Sequence, residues 1–393
     1  MTTTTLDTSR ALVENALADF LATHDPKTMD NVTFRGLRFD AGLAWVHFPV
    51  GRGGLGVRPD LNRLVEEGLR KAGAAPQDPA TFFIALAGPT IATHGSDEVQ
   101  KRFLRPMFTG QEKWCQLFSE PGAGSDFAGL GTRAVRDGDE WVVNGQKVWN
   151  TLAHLADWGM LVTRTDPDQP KHKGMTAFMV PFNAPGVEVR AIKQMSGGAN
   201  FNEVFLTDVR IPDSLRLGPV GDGWKVALTC LGFERDHSSG STSSHTGGTY
   251  KQVIAAAEWA GVANDPIIRQ SLADLYIQHK VAQLTNRRAA AGLRAGQTPG
   301  PEGSLGKLMW TANMTRISNV ISQILGTRLV ADNGEWGTYA WNEHILGAPG
   351  YRIAGGSDEV QRNIVGERVL GLPPEPRVDK DVAFSEAQRL ARK

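Results

Sequence analysis

Apolar residues recur every three to four positions through the first hundred residues of the chain, which is the spacing of amphipathic helices. Asp7 and Ser96 each precede such a run, so both are predicted to be N-cap residues. The helices predicted in this part of the chain cover residues 7–24, 61–71, 82–94 and 96–108. The first third of the protein is therefore expected to be entirely helical.

The period of the apolar pattern changes to two between residues 116 and 212. Alternation of this kind, bounded by Gly, Pro, Asn and Asp, predicts the strands of a small antiparallel β domain. Within it, Asn144-Gly145 separates two alternating stretches at 141–143 and 146–151. This dipeptide is typical of the two-residue turn of a β-hairpin.

Helical spacing returns after residue 221. The predicted helices cover residues 224–234, 250–260, 266–292, 304–326 and 357–370. The Ser/Gly-rich stretch 237–249 is expected to be a mobile linker. The fold class is therefore α+β, with domains at 1–114 (helical), 115–216 (β) and 217–393 (helical). This order is unlike the βαβ alternation of a Rossmann dehydrogenase, and no G-x-G-x-x-G follows a predicted strand.

Composition narrows the class of protein. The 393 residues carry 42 basic and 42 acidic side chains, which gives no long-range attraction for nucleic acid or an anionic membrane. Two cysteines form no disulfide framework, and His237 and His245 have no partners at metal-binding spacing. No secretory signal and no apolar run long enough to span a bilayer is present. A cytoplasmic protein without a metal is expected.

A glycine-rich turn follows a short apolar run, in the segment WCQLFSEPGAGSDFAGLG at residues 114–131. Glycines allow positive φ and close approach of the backbone, and successive N–H groups in such a turn form a concave anion site. A phosphate-bearing cofactor would fit there. A glycine-rich turn alone is equally typical of a solvated surface loop.

Three motifs together resemble one family. FSEPGAGSD, VNGQKVWNT and the C-terminal GGSDEVQRNIVGERVLGLP occur in the order seen in the acyl-CoA dehydrogenase family. The resemblance implies an N-terminal helical domain, a middle antiparallel β domain that binds FAD, and a C-terminal helical bundle. It further implies α,β-desaturation of an acyl-CoA thioester, in which a base removes the α proton and flavin N5 takes the β hydride. Electron-transfer flavoprotein would then accept the electrons.

The resemblance also indicates the catalytic base. Many members carry this Glu just before the glycine of the C-terminal signature, where the present chain has Gly355. Another branch places the Glu on the helix after the β domain, and GFER at residues 232–235 matches that branch. Glu234 is therefore assigned as the base, with a helix-end carboxylate paired with Arg235 or Arg269 as the alternative interpretation. Arg235 would order the carboxylate or the CoA end, or have a structural role only. Gly355 can still offer its backbone N–H to the thioester oxygen.

The remaining implied contacts fall on the same motifs. Ser125 would donate to a phosphate, Trp149 and Thr151 would lie against the flavin ring, and Ser125, Phe233 and Arg235 would meet the substrate. Trp149 has an alternative interpretation as a core residue. The positions implied to bind FAD are Phe118, Ser119, Gly124, Ser125, Trp149, Thr151, Ser357 and Glu359, with Gln323 and Gly326 reaching the FAD of a neighbouring subunit.

The chain also departs from the family pattern. Many members have an Arg-x-x-Phe-Gly stretch where this chain has AAAEWAG at residues 255–261. The assembly is therefore expected to be a homo-oligomer or a heterotetramer with a second acyl-CoA dehydrogenase subunit. Alternatives are an acyl-CoA oxidase, an FAD-binding partner subunit and a DNA-associated flavoprotein. The basic run 171–173 could touch CoA phosphates, although a solvated hairpin tip is the simpler interpretation.

Overall fold

The computed structural model describes residues 3–76, 83–236, 248–294, 300–335, 337–376, 379 and 381–391. The chain forms two compact units. The first unit contains Met1–Lys193, Ala199–Phe233 and Val378–Lys393, and the second contains Gln194–Gly198 and Glu234–Arg377. The predicted linker lies outside the described residues from 237 to 247, as do His237 and His245.

The first unit begins with helices α1 (Thr3–Thr23), α2 (Asn31–Asp40), α3 (Asn62–Ala72), α4 (Ile84–His94) and α5 (Asp97–Thr109). All four helices predicted here are confirmed, whereas α2 was not predicted. Ser96 caps α5 as expected, because its hydroxyl accepts the Val99 N–H at 3.3 Å. The predicted cap Asp7 is wrong, since α1 already begins at Thr3.

An eight-stranded sheet follows. Its strands are β1 (Trp114–Leu117), β2 (Arg133–Asp137), β3 (Glu140–Thr151), β4 (Trp158–Arg164), β5 (Met175–Pro181), β6 (Val187–Ile192), β7 (Phe201–Pro212) and β8 (Arg216–Leu217). They lie in the order β6-β7-β3-β2-β4-β5-β8, with β1 added beside β4. The expectation of a wholly antiparallel sheet is corrected, because β1 and β2 both pair with β4 in parallel. On β4, Met160 and Val162 join the core shared with α4 and α5, while Leu161 joins a second core.

The predicted hairpin turn at Asn144-Gly145 is wrong. Strand β3 runs through both residues, and the turn into it contains Gly138 instead, at φ +65°. Asn144 forms a β-bulge against β7, where its side-chain amide donates to Asp208 Oδ1 and its Oδ1 accepts the Asp208 N–H, both at 2.9 Å. Gly145 is required because a Cβ there would lie 2.4 Å from Thr132 Oγ1. The same dipeptide therefore serves a bulge within a strand rather than a turn between two strands.

Helix α6 (Gly223–Asp236) starts in the first unit, and the boundary between the units falls after Phe233. The second unit contains α7 (Tyr250–Trp259), α8 (Pro266–Arg294), α9 (Gly303–Leu325), α10 (Trp341–Tyr351) and α11 (Asp358–Ile364). The helices predicted in this region are confirmed, although the last ends earlier, in a π-turn at Val365–Val369. Helix α10 was not predicted. Val253, Ile321 and Trp341 lie in the shared core of this unit.

A final helix, α12 (Phe384–Ala391), belongs to the first unit and was not predicted. It is short, and its apolar face consists largely of one buried side chain, Phe384. In the described part of the chain, no helix is both long and apolar enough to cross a membrane.

Candidate active site

The glycine-rich loop between β1 and β2 is tied together by the carboxylate of Glu120. This carboxylate accepts the N–H groups of Gly131 at 2.7 Å and Thr132 at 2.9 Å, and the ammonium group of Lys147 at 2.8 Å. Lys147 is fully buried and also donates to the Phe118 carbonyl at 3.0 Å. Residues at the beginning and end of the loop are thus joined through one buried ion pair.

The ionisation of this pair follows from its burial. Burial lowers the pKa of Lys147 to about 8, because the loss of hydration destabilises the ammonium more than the Glu120 carboxylate stabilises it. For Glu120, burial acts to raise the pKa, but the Lys147 ammonium and the hydrogen-bond donors outweigh it and the net pKa is lowered. Glu120 is therefore a structural carboxylate with its acceptor sites in use.

The expectation of positive φ in this loop is wrong, because Gly122, Gly124, Gly129 and Gly131 are absent from the left-handed region. Their small size has another use. A Cβ added to Gly122 or Gly124 would meet nothing within 4 Å, so this side of the loop backbone is open. Ser125 is exposed beside it. The loop can therefore admit a ligand against its backbone.

Phe118 directs its ring into the core rather than towards solvent. The ring stacks on Phe127 at 5.1 Å between centroids, and Phe127 stacks on Trp224 of α6 at 5.9 Å. Phe118 is only 5% exposed. Its neighbour Ser119 accepts the Val148 N–H of β3 at 2.9 Å through its carbonyl. These contacts fasten the loop to both α6 and β3.

Trp149 lies on β3 next to this attachment and is 59% exposed, so it does not fill the core. Its φ is +62°, a left-handed conformation that costs a side chain of this size about 1–2 kcal/mol. Among the aromatic contacts of the described residues, its ring has one partner, Phe201. The two rings meet edge-on, with their centroids 6.1 Å apart. Strain of this kind is characteristic of functional sites. Thr151, the last residue of β3, is also exposed.

We expect Trp149→Gly to weaken FAD binding about tenfold while leaving the free energy of unfolding within about 1 kcal/mol of wild type. Relief of the left-handed strain offsets the greater chain entropy of glycine. Leu152→Gly is the matched control, because Leu152 has φ +56° but is not among the predicted cofactor residues. Flavin fluorescence titration and chemical denaturation measure the two quantities. Equal FAD affinity in both variants would contradict a role for the indole.

Helix α6 carries the predicted base, and its backbone is helical through Asp236. Phe233 is partly buried against the core of the first unit. One turn earlier, the Thr229 hydroxyl lies 2.8 Å from His94 Nε2. The side chains of Glu234 and Arg235 lie outside the described ones, so their assigned roles stay predictions.

Gly355 and Gly356 connect α10 to α11 and both adopt left-handed φ, at +63° and +85°. The Gly355 carbonyl accepts the side-chain amide of Gln361 at 3.0 Å, and that of Gly356 accepts Lys307 Nζ at 2.5 Å. With both carbonyls held, the backbone N–H of Gly355 has no hydrogen-bond acceptor in the part of the chain that the structure describes. It is available as a donor to a ligand.

The other predicted residues of the second unit lie at helix ends. Gln323 and Gly326 are exposed at the C-terminal end of α9. Ser357 caps α11 by accepting the Val360 N–H at 3.3 Å, and Glu359 is exposed in the first turn of that helix. Within the stretch 255–261, the ring of Trp259 is overlaid by the guanidinium of Arg328, with Cζ 5.4 Å from the ring centroid.

The hairpin between β4 and β5 differs from its prediction as a solvated tip. The Lys171 side chain is only 15% exposed and contacts Asp126 Oδ1 at 3.0 Å and Asp379 Oδ2 at 2.6 Å. Burial acts to lower the pKa of Lys171, and the two carboxylates outweigh it and raise that pKa. His172 and Lys173 line a cleft of about 420 Å³ with Trp224 and Lys225 of α6.

The chain matches three models of one family along most of its length: the acyl-CoA dehydrogenase N-terminal domain at residues 2–111, the middle domain at 115–209 and the C-terminal domain at 221–370. It is 37% identical over 346 residues to the acyl-CoA dehydrogenase IpdE1 of Mycolicibacterium smegmatis. The aligned region covers 85% of this chain and 86% of IpdE1. The protein belongs to the acyl-CoA dehydrogenase family.

Solved structures support the same assignment. The Tcur3481-Tcur3483 steroid ACAD has a TM-score of 0.74 at 26% identity, covering 95% of this chain and 99% of that chain. The ChsE4-ChsE5 complex from Mycobacterium tuberculosis has a TM-score of 0.69 at 28% identity, covering 93% and 98%. Each of these names joins two components, and the second is a complex.

The family assignment confirms the predicted fold class and the predicted activity. The protein is an FAD-dependent acyl-CoA dehydrogenase, an oxidoreductase that acts on the CH–CH group of an acyl-CoA in lipid degradation. The residues present fit the cofactor. The backbone is open at Gly122 and Gly124, and the side chains of Ser125, Trp149 and Thr151 are exposed, so a ligand can reach each of them.

Proposed function

We propose that this chain desaturates the CoA thioester of a ring-bearing, steroid-derived acyl group and that Glu234 is the base that removes its α proton. The assignment of the base rests on the presence of glycine at position 355. The position where many family members hold the base has no side chain here, and its backbone is left-handed. A carboxylate must therefore come from elsewhere, and the GFER sequence of α6 supplies one.

Three other carboxylates in the family motifs have different tasks. Glu120 accepts three hydrogen bonds, two from the loop backbone and one from Lys147 of β3. Asp126 pairs with Lys171, and Asp358 is buried against Arg352 at 2.7 Å. A general base needs an acceptor oxygen free for the substrate proton. The hydrogen bonds and ion pairs of these three carboxylates therefore favour Glu234 as the general base.

The proposed chemistry uses two groups of this chain at the thioester. An α C–H beside a thioester is a weak acid, so charge that develops on the carbonyl oxygen must be stabilised while the proton leaves. The Gly355 N–H donates to that oxygen, and the Glu234 carboxylate takes the proton. Bound FAD would supply the acceptor for the hydride that leaves the β carbon.

Cofactor contacts are proposed for the residues named from the motifs. In the first unit, Ser125 donates to a phosphate, and Trp149 and Thr151 contact the flavin ring. Their exposure supports these roles, because each side chain is available to a ligand. In the second unit, we assign Ser357 and Glu359 to the adenylate half of FAD, and Gln323 and Gly326 to the FAD of a neighbouring subunit.

The acyl group and the partner are proposed from relatives. A protein of similar structure, Tcur3481-Tcur3483, is a steroid ACAD, which supports a ring-bearing substrate. Two-component relatives and the missing arginine at residues 255–261 support a second acyl-CoA dehydrogenase subunit that completes the assembly. Electron-transfer flavoprotein is the proposed electron acceptor. The buried cysteines Cys115 and Cys230 are not joined in a disulfide, which suits the reducing cytoplasm proposed for the protein.

Anaerobic bleaching of the flavin absorbance tests this proposal with straight-chain, branched and steroidal acyl-CoAs. We expect the steroidal thioester to bleach the flavin, with kcat/KM at least about tenfold above that for a straight chain. Preference for straight chains would overturn the substrate class. Fast reoxidation by oxygen alone would indicate an oxidase. Absence of FAD from the isolated chain, restored by a co-purified second subunit, would support the heteromeric assembly.

A further inference from the structure

Arg164, the last residue of β4, connects the glycine-rich loop to the β4–β5 hairpin. It is 3% exposed. Its Nη2 donates to the Ala128 carbonyl at 2.6 Å, and its Nη1 donates to the Lys171 carbonyl at 2.7 Å. Its backbone N–H donates to the Thr132 carbonyl at 2.7 Å. Burial lowers the pKa of Arg164 to about 10, so the guanidinium stays charged at neutral pH.

The C-terminal segment, defined as Asp379 with residues 381–391, covers the other side of this guanidinium. The Arg164 Cζ lies 4.0 Å from the centroid of the Phe384 ring, which is a cation–π contact shielded from water. Phe384 donates its N–H to the Gln169 carbonyl at 3.0 Å, and Ser385 donates to the Pro167 carbonyl at 2.9 Å. The segment is therefore held by backbone hydrogen bonds as well as by its aromatic ring.

Lys171 makes a second connection between the same parts. Its ammonium contacts the Asp126 carboxylate of the glycine-rich loop at 3.0 and 3.1 Å, and Asp379 of the C-terminal segment at 2.6 Å. One largely buried cation thus lies between a carboxylate of the loop and a carboxylate of the segment. Charge-assisted hydrogen bonds of this kind fix geometry more firmly than neutral ones.

The middle of the loop is held by the stack of Phe127 on Trp224 and by hydrogen bonds from Arg164 and Lys171, whereas its other attachments lie at its ends. Glu120 and Lys147 hold residues 118, 131 and 132. The part between them has an open side at Gly122 and Gly124. Arg164 and Lys171 supply the hydrogen bonds to residues 126 and 128, within this part. Both cations are in turn contacted by the C-terminal segment.

We propose that the C-terminal segment is a strap that positions the glycine-rich loop for FAD through Arg164 and Lys171. This inference rests on the proposed contact between that loop and the cofactor. The segment itself need not touch FAD. Its residues act as positioning residues, because Phe384 and Asp379 orient two cations that in turn hold the loop.

The test compares Phe384→Ala with Leu390→Ala in the full-length holoenzyme. Both substitutions remove an apolar side chain from α12, but Phe384 is 7% exposed and Leu390 is 53% exposed. We expect Phe384→Ala to increase the rate of FAD release about tenfold, followed by flavin fluorescence after dilution. Leu390→Ala should leave that rate unchanged. Amide hydrogen exchange of residues 120–131 should rise in Phe384→Ala alone.

Asp379→Asn provides an independent variant that keeps the apolar packing, so it tests the strap even if Phe384→Ala fails to fold. We expect FAD release about threefold faster, because one charge-assisted bond to Lys171 is weakened. A lower melting temperature with unchanged FAD release and unchanged loop exchange would overturn the proposal and leave the segment with a structural role only.

Hydrogen exchange on wild type separates this inference from the assignment on which it rests. FAD binding should protect residues 120–131 in the wild-type protein. If FAD gives these residues no protection, the loop is not the cofactor site. If FAD protects them equally in wild type and in the strap variants, the loop assignment stands and the strap is rejected.

Discussion

Replacing Glu234 by Gln is expected to lower kcat by about a thousandfold while FAD stays bound. A glutamine keeps the shape of the side chain but cannot accept the α proton, and a positioned base contributes about a hundredfold to ten-thousandfold to such reactions. Rapid anaerobic mixing with the acyl-CoA found in the substrate panel, followed through flavin absorbance, measures the step directly. The KM should change little, because the variant still occupies the same volume.

Glu343→Gln is the matched control for this experiment. Glu343 is an exposed carboxylate on α10 with no assigned role, so its loss should leave the bleaching rate at the wild-type value. A Glu234→Gln enzyme that bleaches as fast as the control would remove Glu234 from the mechanism. The base would then have to be sought on a second subunit or at another position of this chain.

Replacing Lys147 by Met is expected to cost about 3–5 kcal/mol in the free energy of unfolding, which is the usual effect of removing one partner of a buried ion pair. The change leaves the mostly buried Glu120 carboxylate without its cation and the Phe118 carbonyl without its donor. Because both ends of the glycine-rich loop depend on this pair, FAD content should fall as well. Chemical denaturation and the ratio of flavin to protein absorbance measure the two effects.

The double variant Lys147→Met/Glu120→Gln should recover part of the loss, because no uncompensated charge then remains buried. Lys101→Met is the control for a lysine in an exposed pair. Lys101 contacts Asp97 with side chains 62% and 58% exposed, and its loss should cost less than about 1 kcal/mol. Equal costs for Lys147→Met and Lys101→Met would contradict the role assigned to the buried pair.

The sequence predicted most helices close to their observed bounds, both long ones such as α8 and α9 and short ones such as α3 and α4. Helices α2 and α10 were missed, because Gly36 in the first and Gly347 and Pro349 in the second weaken the helical pattern. Helix α12 was missed because its apolar face consists largely of Phe384. The Asn144-Gly145 error has a different cause. That dipeptide occurs in turns and in bulges alike, and only the partner strand β7 decided between them.

At the site, the motifs identified the loop, the indole at Trp149 and the two glycines before α11 as positions of interest. They did not show that Phe118 points into the core or that Trp149 is strained and exposed. They also gave the wrong environment for Lys171, because its carboxylate partners are Asp126 and Asp379, distant in sequence. Spacing within one element contains no information about such partners.

Local sequence determined the alternation of helical and β regions, the N-cap at Ser96 and, through its motifs, the family and FAD. These features depend on neighbouring residues or on short segments whose chemistry is contained within them. Only the tertiary structure decided the buried Glu120–Lys147 pair, the left-handed Trp149 and the connection from the C-terminal segment through Arg164 to the glycine-rich loop. Each of these joins residues far apart in the chain, and their energies depend on burial, which is a property of the packed fold.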